Sequence, residues 1–119
     1  MSAILTKNSG TGIIPLSDIV FQELTEVLPN TLTDIFTYTN ITGKPLYLLA
    51  IGGECNARSQ WHFYLAGDLK LKRRNSISDM NVEVGLNSFR IGDGETVVIT
   101  AEHFAEDNAD FAVDMRYYQ

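Results

Sequence analysis

"WHFYLAGDLKLKRRNS", residues 61–76, decides how the chain is read. Five of its nine Lys and Arg residues fall between Arg58 and Arg74, although the formal net charge is −6. The run reads as a β-hairpin, with "QWHFYL" and "LKLKR" flanking Ala66-Gly67-Asp68. A three-residue loop with Asp68 in the left-handed position sets Leu65 against Leu69, Phe63 against Leu71 and Trp61 against Arg73. Tyr64 then meets Lys70 and His62 meets Lys72 on the other face. A two-residue loop would place Leu65 and Phe63 opposite Asp68 and Lys70 and mix apolar with charged side chains. On the three-residue register, "KLKRR" is the solvent side of a half-buried strand. Lys70 lies over the Tyr64 ring, a cation–π contact worth on the order of 0.5–1 kcal/mol at an exposed site. Arg73 and Arg74, at the strand end, are not explained by the core and are open to an acidic neighbour in this chain or an acidic protein partner.

The rest of the chain repeats this β pattern. "TLTDIFTYT" (31–39) is rich in Thr and aromatics, and "PLYLLAIGG" (45–53) is an apolar run ended by a Gly pair. "MNVEVGL" alternates, with Met80, Val82, Val84 and Leu86 on one face. "TVVITAEHF" follows the Gly92-Asp93-Gly94 turn, and "DFAVDMRYY" keeps Phe111, Val113, Met115 and Tyr117 in step. Short alternating runs at this spacing, separated by turn residues, predict an all-β antiparallel sandwich, jelly-roll-like, of seven or eight strands.

Residues 17–30, "SDIVFQELTEVLPN", read two ways. Val20, Leu24, Val27 and Leu28 fit a helical stripe behind a Ser17 cap, whereas Leu24, Glu26 and Leu28 against Thr25 and Val27 fit a strand. Residues 1–16, with Gly, Ser, Asn and Pro and no period, read as an extended N-terminal arm. The expected organisation is an arm over 1–16 and one sandwich domain over 17–119.

Composition narrows the function. At 119 residues, 45% hydrophobic and 20% charged, the chain has the make-up of an ordinary globular domain. Its longest apolar run, around Leu46–Ile51, is too short to span a bilayer. The first 16 residues lack the apolar core of a signal peptide, so synthesis in the cytoplasm is expected, with no membrane partner. An acidic balance argues against nucleic acid, whose binding rests on neutralising phosphates. Cys55, the one cysteine, reads as an unreactive loop residue and forms no intrachain disulfide. "NIT" at 40–42 matches a glycosylation acceptor, but the match carries no weight without a secretory route.

No segment carries a catalytic signature, and no cofactor, catalytic residue or metal site is expected. His62 and His103 fall within predicted strands, and alternation puts Glu102 on the face opposite His103. "EDNAD" (106–110) offers oxygen donors, but without the spacing or glycine of a known calcium loop, so it reads as a solvated turn. No serine sits in a nucleophile elbow. Gly92-Asp93-Gly94 leads into a strand, whereas phosphate-cradling loops open a helix. Exposed aromatics offer an alternative of another kind, sugar stacking, with Tyr64 the first candidate.

The order of segments from Thr37 to Tyr118 resembles small jelly-roll proteins of tailed bacteriophages: a "TGKPLYLLAI" strand, the hairpin "FYLAGDLKLKRR", the alternating "NVEVGL", the unit "FRIGDGETVVITAEH" and a final "DFAVDMRYY". The chain departs from the pattern at Ala66-Gly67, where Asp-Gly is expected. The resemblance implies a non-enzymatic virion protein, most simply a capsid decoration or cement protein. It would act as a homodimer or homotrimer across joints between subunits of the major capsid protein or another virion protein. A carbohydrate- or receptor-binding tail module is the alternative. Contacts are then expected from Ile13, Ile14 and Leu16 of the arm, by strand addition to a neighbour, and from Arg73 and Arg74.

Overall fold

The computed structural model describes residues 18–75 and 80–119, and all secondary structure among them is β. Eight strands follow in order: β1 (Asp18–Val27), β2 (Thr33–Thr39), β3 (Leu46–Cys55), β4 (Ser59–Leu65), β5 (Asp68–Asn75), β6 (Asn81–Ile91), β7 (Thr96–His103) and β8 (Ala109–Tyr118). They form two four-stranded antiparallel sheets, the first in the order β1-β8-β3-β6 and the second β2-β7-β4-β5. This is the order of a jelly roll. β1 pairs with β8, β2 with β7, β3 with β6 and β4 with β5, and the β3–β8 and β4–β7 ladders roll these pairs into two layers.

Strand alternation fills the space between the sheets. Leu46, Leu48 and Ile51 of β3, Val113 and Met115 of β8, Trp61 and Phe63 of β4, and Val97 and Ile99 of β7 are almost wholly buried. The core face expected for Trp61, Val82, Val84, Phe111, Val113 and Met115 is the observed one. Met80 and Leu86 are half-buried, as is Tyr117, whose ring packs against Tyr38 with centroids 6.1 Å apart. The Gly pair does not end its strand: Gly52 and Gly53 lie inside β3, which runs on to Cys55. Gly53 faces inward, where a Cβ would sit 2.6 Å from the Trp61 ring. The indole needs the missing side chain.

The ambiguous segment is a strand, β1. Its inner positions, Val20, Gln22 and Leu24, pair with Met115, Val113 and Phe111. A bulge between Leu24 and Val27 then delays the next inward residue by one. A strand with one extra residue reproduces the three- and four-residue spacing of a helix, which explains the double reading. Glu26 sits in the bulge at φ 55° and donates its backbone N–H to Asp110 Oδ1 at 2.9 Å.

The hairpin corrects the expected loop. Leu65 pairs with Asp68 across a two-residue turn, Ala66-Gly67, with φ of 54° and 89°; positive values at both positions mark a type I′ turn. Tyr64 then pairs with Leu69, and Lys70 forms a bulge that restores Phe63–Leu71, His62–Lys72 and Trp61–Arg73. The bulge compensates for the shorter loop, so mixing is confined to the turn end, where Leu65 meets Asp68, and the faces separate again from Phe63–Leu71 onward. Lys70 consequently leaves Tyr64: its ammonium lies 5.9 Å from the Phe89 ring centroid, and its other partner is Asp68 at 4.0 Å.

Candidate functional site

Most buried polar side chains are committed to the fold; among the described residues His62 Nδ1 and Thr100 Oγ1 are buried without a hydrogen-bond partner. Asn75 Oδ1 accepts from the Ser59 N–H at 2.8 Å and from the Ser59 hydroxyl. Its Nδ2 donates to the carbonyl of Ala57 at 2.9 Å. Trp61 Nε1 donates to Ser59 Oγ at 2.7 Å, so one amide fixes the indole and the end of β5. Asn40 is fully buried, and its Nδ2 donates to the carbonyls of Lys44, Ile91 and Gly92 at 2.7–3.2 Å. The glycosylation-like asparagine is thus a clamp between two loops.

Two of the candidates for chemistry, His103 and Asp110, are occupied in the same way. His103 is fully buried; its Nε2 donates to the Val27 carbonyl at 2.6 Å while Nδ1 accepts from the Ala105 N–H at 3.3 Å. That pattern fixes the neutral Nε2–H tautomer. Asp110, from the acidic turn, holds the β1 bulge, and its own N–H donates to Asn56 Oδ1 at 2.9 Å. Cys55 lies at the end of β3 rather than in a loop. Its thiol is buried, and burial raises its pKa.

Of the residues singled out for binding, Ile13, Ile14 and Leu16 lie outside the described residues. Tyr64 is half-buried on the outer face of the second sheet, flanked across the ladders by Leu69 and Val98. Trp61 is in the core, and Tyr47 stacks on Tyr118 with centroids 5.2 Å apart. Arg73 and Arg74 are exposed on β5, an edge strand of the second sheet. Among the described residues neither guanidinium forms an ion pair; Arg73 Nη1 donates to the Lys72 carbonyl at 2.9 Å. Lys72 and Arg74 stand opposite His62 and Gln60 on the outer face, and Arg73 opposite Trp61. Cations and a bulge on an edge strand discourage indiscriminate strand pairing. The basic run is therefore both a solvated face and an edge guard.

The other sheet edges are treated differently. Gln22 of β1 reaches across to β2, donating to the Thr37 carbonyl at 2.8 Å and accepting from its N–H at 3.3 Å. β6 carries Asn87 and Ser88 at φ 49° and 64°, in an irregular stretch where Leu48 pairs with Phe89 but Ala50 with Gly85.

A second surface, not anticipated from the sequence, lies on the outer face of the first sheet. Three rows cross it from β1 through β8 and β3 to β6: Ile19, Arg116, Ala50, Gly85; Phe21, Asp114, Gly52, Glu83; and Glu23, Ala112, Glu54, Asn81. Small side chains in the middle strands leave a shallow trough, lined by Phe21, Gly52, Glu54, Glu83, Asp114 and Arg116 among others. Asp114 folds over Gly52, where a Cβ would come within 3.0 Å of its Oδ1. Among the described residues that line the trough Arg116 is the one cation, 3.8 Å from Glu83 and 3.9 Å from Asp114. Ile19 and Phe21 remain 62% and 58% exposed beside these carboxylates. Apolar groups this open, set in a predominantly acidic field, have the character of an interaction surface.

No family model matches the chain, and no curated protein matches it. Among solved structures, it is similar to a chain of the acid-stable capsid of Helicobacter pylori bacteriophage KHP30, with a TM-score of 0.57 and 9% identity over 90% of each chain. It is also similar to a chain from Bacillus endospore appendages, described as disulfide-linked pili, with a TM-score of 0.50 and 15% identity over 98% of each. At these identities the likeness is one of fold.

Proposed function

We propose that this chain is a non-enzymatic structural protein of a bacteriophage particle, a capsid decoration protein that binds across shell subunits as a homo-oligomer. The observation that carries this reading is the eight-stranded jelly roll, aligned over 90% of both chains with a chain of a phage capsid. The site chemistry supports it, because both histidines lie within strands, His103 and Asp110 are spent on backbone groups, and the thiol is buried. The exposed surfaces carry charge and apolar side chains suited to another protein. Disulfide linkage, as in the endospore appendages, does not transfer: Cys55 is the one cysteine of this sequence, and its side chain lies in the core. Among the described residues Trp61 lies in the core and Tyr47 stacks on Tyr118, so these aromatics do not favour the glycan-binding alternative.

On this reading the arm's Ile13, Ile14 and Leu16 reach a neighbouring sheet edge, and many modest interfaces add up over a shell. The test is cosedimentation of the purified full chain with empty shells of the phage that encodes it. Ile13→Asp, Ile14→Asp and Leu16→Asp together should leave the fold intact by circular dichroism and reduce shell binding at least tenfold. Unchanged binding would remove the arm from the account, and no binding by the unaltered chain would contradict the decoration role.

A further inference from the structure

The two charged surfaces belong to different layers of the sandwich. Lys72, Arg73 and Arg74, beside the 45% exposed Leu69, form a basic edge on β5 of the second sheet. Glu23, Glu54, Glu83 and Asp114, beside Phe21 and Ile19, form an acidic face on the first sheet, with Arg116 paired to Glu83 and Asp114 and Arg90 further along, opposite Tyr47. Each surface presents charges of one predominant sign next to an exposed apolar group, and the signs are opposite. We propose that these surfaces are partners, the basic β5 edge of one copy seating in the acidic trough of a second copy. The proposal rests on the reading above that the chain builds multi-subunit structures, and it specifies the contact.

Its symmetry follows from the placement. A two-fold dimer would need both surfaces within one self-complementary interface, whereas the edge and the trough lie on different layers of the sandwich. Unlike patches produce head-to-tail association, which closes into a ring or continues as a row. Complementary fields would orient approaching copies and oppose the two like-charged alternatives. Leu69 meeting the Phe21–Ile19 ridge would supply the apolar part. Arg116 is shared by Glu83 and Asp114, so among the described residues Glu23 and Glu54 are the carboxylates of this face without an ion pair.

Sedimentation velocity of the full chain, with two charge-reversed variants, tests the proposal. The edge variant is Lys72→Glu, Arg73→Glu, Arg74→Glu, and the trough variant is Glu54→Lys, Glu83→Lys. The unaltered chain should associate at micromolar concentration and do so at least tenfold more weakly when salt is raised, because such pairs are screened. Each variant alone should be monomeric, presenting like charges on both surfaces, and an equimolar mixture should recover association. Recovery also establishes that both variants are folded. Should circular dichroism show either unfolded, the neutral set Lys72→Gln, Arg74→Gln and Glu83→Gln replaces them, with at least tenfold weaker association expected. Variants that associate as the unaltered chain does would overturn this contact while leaving assembly standing. So would variants that are folded and monomeric alone and remain monomeric when mixed. An unaltered chain that stays monomeric throughout would overturn the contact and also count against self-assembly.

Discussion

Gly53 occupies a position that no side chain can share with Trp61. The indole is held from its other end by the Ser59–Asn75 hydrogen bonds and has no free direction in which to retreat. Gly53→Ala should therefore cost about 1–3 kcal/mol, the range for overpacking a filled core, measured as a shift in the urea midpoint with Trp61 fluorescence as the probe. Gly52→Ala next to it meets the far end of the Asp114 side chain, which can move, and should cost much less. Cys55 makes a different prediction. Burial raises its pKa above the ordinary 9.0, so the unfolded chain loses the thiol proton first. Stability is then full below that value and falls as pH rises through it toward the folded pKa. Burial and Tyr38 raise Tyr117 in the same sense. Cys55→Ala should flatten, without abolishing, the alkaline loss of stability, read from unfolding midpoints between about pH 8 and 10.

At the scale of the element, bulges and turns decided what could be read. Alternation alone identified the inward faces of β4, β8 and the first half of β6, because these stretches keep a period of two. It left β1 open, since the bulge at Glu26 borrows a helical spacing. It also assigned the wrong loop to the β4–β5 hairpin, since a bulge at Lys70 makes a two-residue turn look, three pairs further on, like a three-residue one. Ala66 takes the first position of that turn at φ 54°, where an alanine bears part of the roughly 1–2 kcal/mol cost of a left-handed residue. Ala66→Asn supplies a residue that tolerates this conformation. It should raise stability by about 0.5–1 kcal/mol, a gain in the denaturation midpoint without a change in slope. Loss of stability would contradict the turn assignment.

For the whole molecule, the trough was the part hidden from the sequence. Phe21, Gly52, Glu83 and Asp114 come from four strands, and only the strand order puts them in one row. The basic edge was visible as a run because it lies on a single strand, whereas its being an edge was not. What the sequence could not convey was therefore which faces are joined by the rolling of the sheets. The account built on those faces is that the chain works as one of many copies in a particle. Under the proposed function a bacteriophage encodes the chain, and quantitative mass spectrometry of its purified particles tests this most directly. The account predicts the chain in many copies per particle, in a simple ratio to the shell subunit. Its absence from intact particles, or its presence in only a few copies, would contradict it.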